Sequence, residues 1–490
     1  MSKDSELRKF IEKNRTILIL LVSIILSVSS FALFELNGAS PKMQYSPAEI
    51  ENGEIIGGSF DSKEYVKTKI SFLFIKWALL GDGGKNIKKL EFPAGKARAL
   101  IKKIQKIARE NNKEARLVGG AVRNLLMKKP VKDFDIAINF PIVHFIEILN
   151  KHKIKFYETG LSHGTITVVE NDISIEVTQT RKDIKSDGRR SEVEPVTDWL
   201  LDAQRRDFTI NAIYLTDANT LFDPCNGLLD LHNKKLTFIG SADDRIQEDY
   251  LRILRAFRFF AWMPEFEIPQ DDIEALKRHC KKLNLLSLER ITDEFSKWLM
   301  ANNPINSLYL AKKIGLDRLG FGFCFSLVNL EVDIFKNAFL QLDWLARLAA
   351  ITPVHKKNKI YSKIRFSRHE RARFERLMQE LTYSEASKLI TNHWQKTAYW
   401  HASDLSDKMR IYCIRKGFLF PKNKWSSIDA FKKPKFPITG KDLKQAGWST
   451  GPEMGLKLKE LEHLWVMNEF KLPENTDFSP NNFIPKIYES

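Results

Sequence analysis

Asp133 and Asp135 lie one residue apart at the end of the stretch 117–135, LVGGAVRNLLMKKPVKDFD. On a strand, alternate side chains share a face, so the two carboxylates would point the same way. Paired carboxylates of that kind can hold divalent metal for phosphoryl transfer. Just before them, Gly119 and Gly120 end a short apolar run and open a helix-like segment. Glycines at such a turn let backbone N–H groups come close to a phosphate. Arg123, on the first helical turn, offers a guanidinium suited to bidentate contact with phosphate oxygens. The stretch reads as a cradle for a nucleoside triphosphate beside a metal pair. An isolated Asp-x-Asp also suits a solvated strand end next to a helix cap, so the reading depends on its surroundings.

Those surroundings supply further candidates. Glu176 sits in ISIEVT (173–178), where alternation predicts a strand, and it is flanked by apolar residues. An acid turned inward there would be paired or functional, because an unpaired buried charge is costly. It is a candidate third carboxylate; a glutamate facing water from an edge strand is the alternative. The segment 202–212, DAQRRDFTINA, sets Arg205 and Arg206 beside Asp207 and Asn211, a group suited to a triphosphate or ribose. In 248–260, EDYLRILRAFRFF, Asp249 and Arg252 are three apart and would share a helix face, with Arg255 and Arg258 continuing the row. A solvated helix face would carry the same row. His163 has no second histidine at ligand spacing and is expected to order its loop.

The elements that must position these residues follow from periodicity. Helices are expected at 97–111, 142–150 and 287–299, and strands at 159–169 and 173–178. The polar segment 181–199 reads as a mobile loop, and Asp223-Pro224 with Gly227 as a turn. Beyond 300, helices are expected at 308–314, 335–350, 370–381 and 383–394. Lys356, Lys357, Lys359, Lys363, Arg365, Arg368, Arg371 and Arg373 form a basic run interleaved with Tyr361 and Phe366, which suits a phosphate backbone. The elements therefore indicate an α+β fold class, strands and helices in a head followed by all-α regions.

The chain of 490 residues is too long for one core. Its composition, 43% hydrophobic with 33 Phe, is that of a folded protein. The net charge of +17 favours a polyanionic partner, either nucleic acid or an acidic membrane surface. Cys225, Cys280, Cys324 and Cys413 form no CxxC pair, which argues against a zinc ribbon or a disulfide scaffold and suits a reducing compartment. Residues 1–15 are basic, and residues 16–34 carry no charge. As a helix the latter would rise about 28 Å, close to the ~30 Å hydrocarbon core. A retained transmembrane helix is expected there, with a cleaved signal or transit segment as the alternative. Lys3, Arg8, Lys9, Lys13 and Arg15 precede it and only Lys42 follows closely. That asymmetry would leave the N-terminus in the cytoplasm and send the rest across, against the needs of an enzyme using intracellular nucleotides. Residues 35–90 read as a linker.

GGAVR, the DFD pair, GLSHGT, RRDFTINA and EDYLRILRAFRF occur in this order and at fitting intervals. In them the chain resembles the class II nucleotidyltransferases, specifically the CCA-adding enzymes (tRNA nucleotidyltransferases), which share their head with bacterial poly(A) polymerases. The resemblance is strong over 116–299 and looser to the C-terminus; the first ninety residues have no counterpart. Asn124 stands where the family usually has Asp, and Tyr250 where Pro is common. The resemblance implies a nucleotidyltransferase head with a small mixed sheet at 91–235, a neck at 236–300, and a body and tail at 301–490 that grip tRNA. PITGKDL (437–443) and GPEMG (451–455) are similar to the family's tail. Asp133 and Asp135 would then hold two Mg²⁺ ions and act in catalysis with Glu176. Gly120, Arg123 and Arg206 would bind the nucleotide. Asp249 and Arg252 would serve as a protein template for the incoming base, with Arg255 and Arg258 extending the basic face toward the triphosphate or the RNA end. The implied substrates are a tRNA 3′ end, ATP and CTP, with no protein partner. The catalytic part would be cytoplasmic and tethered to a membrane through 16–34, or would lie in an organelle matrix if the N-terminus is a transit segment. A poly(A) polymerase, an enzyme adding only CC or only A, and a non-catalytic, membrane-tethered RNA-binding adaptor are the competing readings. The segment after Asn139 resembles the CCA-adding form, and the intact Asp133, Asp135 and RRDFTINA argue against an adaptor.

Overall fold

The computed structural model describes residues 49–51, 54–56, 95–186, 191–401, 403–474 and 476–480. The expected membrane helix at 16–34, the basic segment 1–15 and nearly all of the linker lie outside the described residues. Among the described residues no helix is long and apolar enough to cross a membrane.

The chain divides into two compact units, residues 1–102 with 214–222, and residues 103–213 with 223–490. In the smaller unit, strands Tyr214–Leu215 and Leu221–Phe222 form a hairpin. Lys102 Nζ is bound there by the Asp217 carbonyl (2.5 Å) and Asn219 Oδ1 (2.8 Å).

In the larger unit, five strands lie in the order Ala115–Val118, Asp135–Ile138, Ile173–Gln179, Thr165–Glu170, Phe156–Gly160. The pair Asp135–Ile138 with Ile173–Gln179 is parallel and its neighbours are antiparallel, so the sheet is mixed. A parallel pair needs a crossover connection, and the helix Ile142–Lys151 lies in it, burying Ile142, Phe145 and Leu149. Alternation buries Ile136, Ile138, Ile166, Val168, Ile175 and Val177 on one face. The other face carries Asp135, Thr165, Thr167, Glu176 and Thr178.

Several elements differ from expectation. The ladder of the acidic strand begins at Asp135, so Asp133 precedes the strand. The expected loop 181–199 contains an antiparallel hairpin, Arg181–Ser186 with Ser191–Pro195. Its sequence is charged on both faces, so no apolar period marked it; its residues 187–190 are outside the described set. The expected helix 335–350 is two, Asp333–Leu340 and Trp344–Ile351. Asp343 caps the second, its Oδ1 accepting from Ala346 N (2.9 Å), and so ends the run. Likewise 383–394 is replaced by Tyr383–Lys388 and Trp394–His401. In the basic run, Arg373 turns away from solvent into Asp343, Asp404 and Asp407. Arg365, Arg368 and Arg371 are exposed.

One hydrophobic cluster extends from Phe208 through Phe295, Trp298 and Phe325 to Ile428. Within it Arg347 is 4% exposed. Its guanidinium donates to the carbonyls of Leu299 and Ala301 and of Phe339, Leu340 and Leu342. These are the C-terminal ends of Leu288–Leu299 and Asp333–Leu340, where carbonyls have no intrahelical partner. Replacing Arg347 by Met should destabilise the fold by roughly 3 kcal/mol or more, since buried carbonyls would be left unpaired. Urea unfolding checks this as a lower midpoint at an unchanged slope.

Candidate active site

The centre of the site is a turn that only glycine tolerates well. Gly119 has φ 75°, ψ −139°, outside the range comfortable for residues with a Cβ. A Cβ on Gly119 would stand 3.6 Å from Asp135 Oδ2 and 3.9 Å from Arg206 Nη1. The turn, the acid and the guanidinium thus meet at one place. The sheet explains why: Val118, just before the turn, is the register partner of Asp135, and Asp135 is the register partner of Glu176. Glu176 N also donates to Phe134 O (3.1 Å).

Glu176 was expected to face inward or to lie on an edge strand. It does neither. Its strand is paired on both sides, and Ile175 and Val177 take the core positions. Glu176 therefore lies on the open face beside Asp135. The Asp135 carboxyl is pushed up to about 6, chiefly by loss of surrounding water and then by Glu176. Arg206 pulls the other way, and Asp133 adds a smaller push upward. Both other acids therefore act on Asp135. Among the described residues, no three His, Cys, Asp or Glu side chains are gathered into a ready metal cage. Magnesium does not require one, because it binds through one or two carboxylates and fills its shell with water and substrate phosphates. The negative charge gathered around Asp135, only partly offset by Arg206, fits a site for a divalent cation.

The arginines are held mostly by carboxylates. Asp202, fully buried, accepts from Arg205 Nε (2.8 Å) and from Arg206 Nη2 (2.9 Å). Arg255 Nε binds Asp207 Oδ2 (2.7 Å). Burial alone would raise the Asp207 carboxyl, but Arg255 and the Asn211 amide outweigh it and hold the group at about 2. Arg258 pairs with Glu294 and lies 4.5 Å over the Phe259 ring. Arg255 and Arg258 are therefore ion-paired, where sequence reasoning had them as an open basic row.

Arg123 is different. Its Nη1 donates to Asn211 Oδ1 (2.6 Å), and its Nε and Nη2 to Asn124 Oδ1 (3.2 and 3.0 Å). The guanidinium stacks 5.1 Å from the Phe259 ring. A Cβ on Gly120 would lie 3.4 Å from its Nη2. Burial lowers its pKa to about 10, Asp207 opposes, and Arg258 and Arg255 reinforce the fall.

The expected helical row from Asp249 to Arg252 also needs correction. Asp249 caps the end of helix Ala242–Glu248 in extended backbone, and Leu251–Trp262 begins after Tyr250. The two residues still sit one turn apart, since Arg252 N donates to the Asp249 carbonyl (3.0 Å). Both Asp249 oxygens accept from Arg290 Nη2 (2.8 and 3.0 Å). Arg252 is buried, bound by Glu248 Oε2 (2.6 Å) and by the carbonyls of Arg245 (2.9 Å) and Arg205 (2.7 Å). Sequence reasoning missed Asp202, Glu248, Arg290 and Glu294 as partners. The signal lay in the segment 287–299, whose Arg290 and Glu294 match the charges opposite them.

Comparison with known proteins adds the following. Residues 115–237 match the family model "Poly A polymerase head domain", and residues 265–318 match "Probable RNA and SrmB- binding site of polymerase A". The mitochondrial CCA tRNA nucleotidyltransferase 1 of Mus musculus is 32% identical over 392 residues, 76% of this chain and 88% of that protein. The CCA-adding enzyme of Streptococcus uberis is 40% identical over 210 residues, 42% of this chain and 50% of that protein. Among solved structures, the Bacillus stearothermophilus CCA-adding enzyme in complex with CTP superposes with TM-score 0.60 at 24% identity, covering 77% of this chain and 94% of that one. The Thermotoga maritima CCA-adding enzyme complexed with tRNA gives 0.56 at 19% identity, covering 78% and 92%.

Replacing Arg255 by Met should leave the buried Asp207 carboxylate unpaired and cost roughly 3–5 kcal/mol. The pH dependence should also reverse. In the native protein Asp207 titrates below its unfolded value of ~3.9, so its contribution is complete above pH ~4 and is lost as pH falls toward about 2. Without Arg255 burial would raise the carboxyl, and stability should instead fall as pH rises from 4 to 7. Urea titrations should show the native contribution rising from about pH 2 to 4 and flat from 4 to 7, and the variant's stability falling from 4 to 7.

Proposed function

This chain belongs to the family of CCA-adding enzymes, the tRNA nucleotidyltransferases, and on that premise we propose how its own residues serve the reaction. The reaction extends the 3′ end of a tRNA with C, C and A taken from CTP and ATP. In each step a bond forms between the RNA 3′-oxygen and the α-phosphorus, and pyrophosphate leaves. The observation that carries the assignment of the centre is the meeting of Gly119, Asp135 and Arg206, with Glu176 in the adjacent register.

Gly119 and Gly120 leave room for the triphosphate against the backbone. Arg123 and Arg206 supply cations to its oxygens. Asp133 and Asp135 would hold two Mg²⁺ ions, which when bound supply Lewis acidity toward the 3′-hydroxyl and charge neutralisation toward pyrophosphate. Glu176 deepens the negative field that favours a cation there. Asp249 accepts from an exocyclic amine, N4 of cytosine or N6 of adenine, and Arg252 donates to the neighbouring ring nitrogen. Uracil and guanine offer the opposite pattern and would leave these groups unpaired, which is where strong discrimination arises. Arg290 and Glu248 hold the reading pair in place. The neck and the helical body carry the tRNA, with exposed Arg365, Arg368 and Arg371 on its phosphate backbone. Residues 1–34 would deliver the enzyme to an organelle matrix or tether it to a membrane.

The test is incorporation by the full chain on a tRNA lacking CCA, with CTP, ATP, UTP and GTP singly and together. Extension should stop after C, C and A. Long A-tails would assign the chain to poly(A) synthesis instead, and no incorporation would favour an RNA-binding adaptor. Asp135→Ala should lower the rate by about 10³-fold or more, the scale of losing one preorganised group at a reacting centre; persistent activity would remove the carboxylates from the mechanism. Asp249→Ala should admit UTP and GTP at the expense of CTP and ATP, read as the ratio of kcat/KM values.

A further inference from the structure

The nucleotide-binding arginine is steered by a residue that touches no substrate in the scheme above. Asn211 lies in a short 3-10 turn, Thr209–Asn211, and is buried. Its carboxamide makes two bonds of opposite sense. Oδ1 accepts from Arg123 Nη1 (2.6 Å), and Nδ2 donates to Asp207 Oδ1 (3.1 Å). The two bonds fix the amide's orientation, since turning it would place a donor against a guanidinium and an acceptor against a carboxylate. Asp207 is itself immobilised by Arg255 Nε (2.7 Å) and by its bond from Phe208 N (2.8 Å). The chain of contacts therefore runs from the neck helix Leu251–Trp262, through Asp207 and Asn211, to a guanidinium lying against Gly120.

Arg123 depends on this support. Among the described residues no carboxylate lies within ion-pair distance of it, whereas Arg206, Arg252, Arg255 and Arg258 each have one. Its direction is set by two amide oxygens and one ring face. Of these, the Asn124 oxygen belongs to the next residue on the same short helix and moves with Arg123. Asn211 supplies the hydrogen bond from outside that helix, where Phe259 offers only a ring face.

We infer that Asn211 is a positioning residue for nucleotide binding: its carboxamide couples Arg123 at the glycine turn to the Asp207–Arg255 pair and aims the guanidinium at the triphosphate. The inference rests on the reading of the glycine turn as the triphosphate cradle. It predicts an effect on phosphate affinity alone, the same for both nucleotides, because neither the base readers Asp249 and Arg252 nor the acids Asp133, Asp135 and Glu176 are touched.

The experiment uses the full chain with Asn211→Ala, Arg123→Gln and the double variant. Steady-state kinetics with CTP and with ATP is paired with calorimetric binding of inorganic pyrophosphate. Asn211→Ala should raise both KM values and weaken pyrophosphate about tenfold, the scale of one charge-assisted hydrogen bond, with kcat and the preference for CTP and ATP over UTP and GTP unchanged. Arg123→Gln should cost at least as much, and the double variant no more than Arg123→Gln alone, because Asn211 acts through Arg123. Should Asn211→Ala fail to fold, Asn211→Ser, which puts a hydroxyl where the amide carbon stands and lacks the amide oxygen that Arg123 meets, must show the same rise. Multiplying losses in the double variant, a lowered kcat at unchanged KM, or unequal effects on CTP and ATP would overturn the inference. If Arg123→Gln weakens pyrophosphate but neither Asn211 variant does, the inference alone falls. If Arg123→Gln binds pyrophosphate as the native chain does, the cradle reading falls with it.

Discussion

Like charges must be kept close together at the centre of this protein without help from a protein-supplied metal cage. Asp135 and Glu176 are adjacent because a parallel backbone ladder puts them in register. Their repulsion is opposed by the ladder and by the apolar residues on the reverse face of the same strands, Ile136, Ile175 and Val177. Every residue that keeps those strands in register therefore contributes to the acidity of the site. A one-residue slip would send Glu176 into the core and Ile175 or Val177 onto the open face beside Asp135.

The cationic half is arranged on a different principle. Buried or half-buried arginines are given dedicated acids: Asp202 for Arg205 and Arg206, Asp207 for Arg255, Glu294 for Arg258, Glu248 for Arg252. An unpaired buried guanidinium would be costly, so positive charge is largely neutralised before any substrate arrives. What remains at the site is direction more than net charge. The pairs aim donors into fixed positions, and Arg123, held by amide oxygens, keeps its charge uncancelled beside the glycines.

The sequence made the outline of this site legible and hid its wiring. Asp133, Asp135, Gly119, Gly120 and Arg123 are close in the chain, so local spacing was enough to group them. Arg206 came from a second segment, and only the pattern of ordered motifs linked it to the first. Glu176 was legible as a candidate third carboxylate but its facing was not, because the strand order that pairs it with Asp135 is not written in local pattern. The break at Asp249 and Tyr250 was missed because a period of three suits a continuous helix and two helices meeting at a turn equally well. The partners Arg290 and Glu294 come from a helix about forty residues away, beyond what local pattern can reach. The hairpin at 181–195 lacked an apolar face to announce it.

The shared guanidinium of Arg347 has a mechanical consequence. The helix that presents Arg290 and the first of the two helices from 333 to 351 terminate on the same buried cation. Tilting one against the other would tear that cation from several acceptors at once, so this joint behaves as a weld. The two helices therefore keep a constant spacing, and any bending of this region has to take place on either side of the joint.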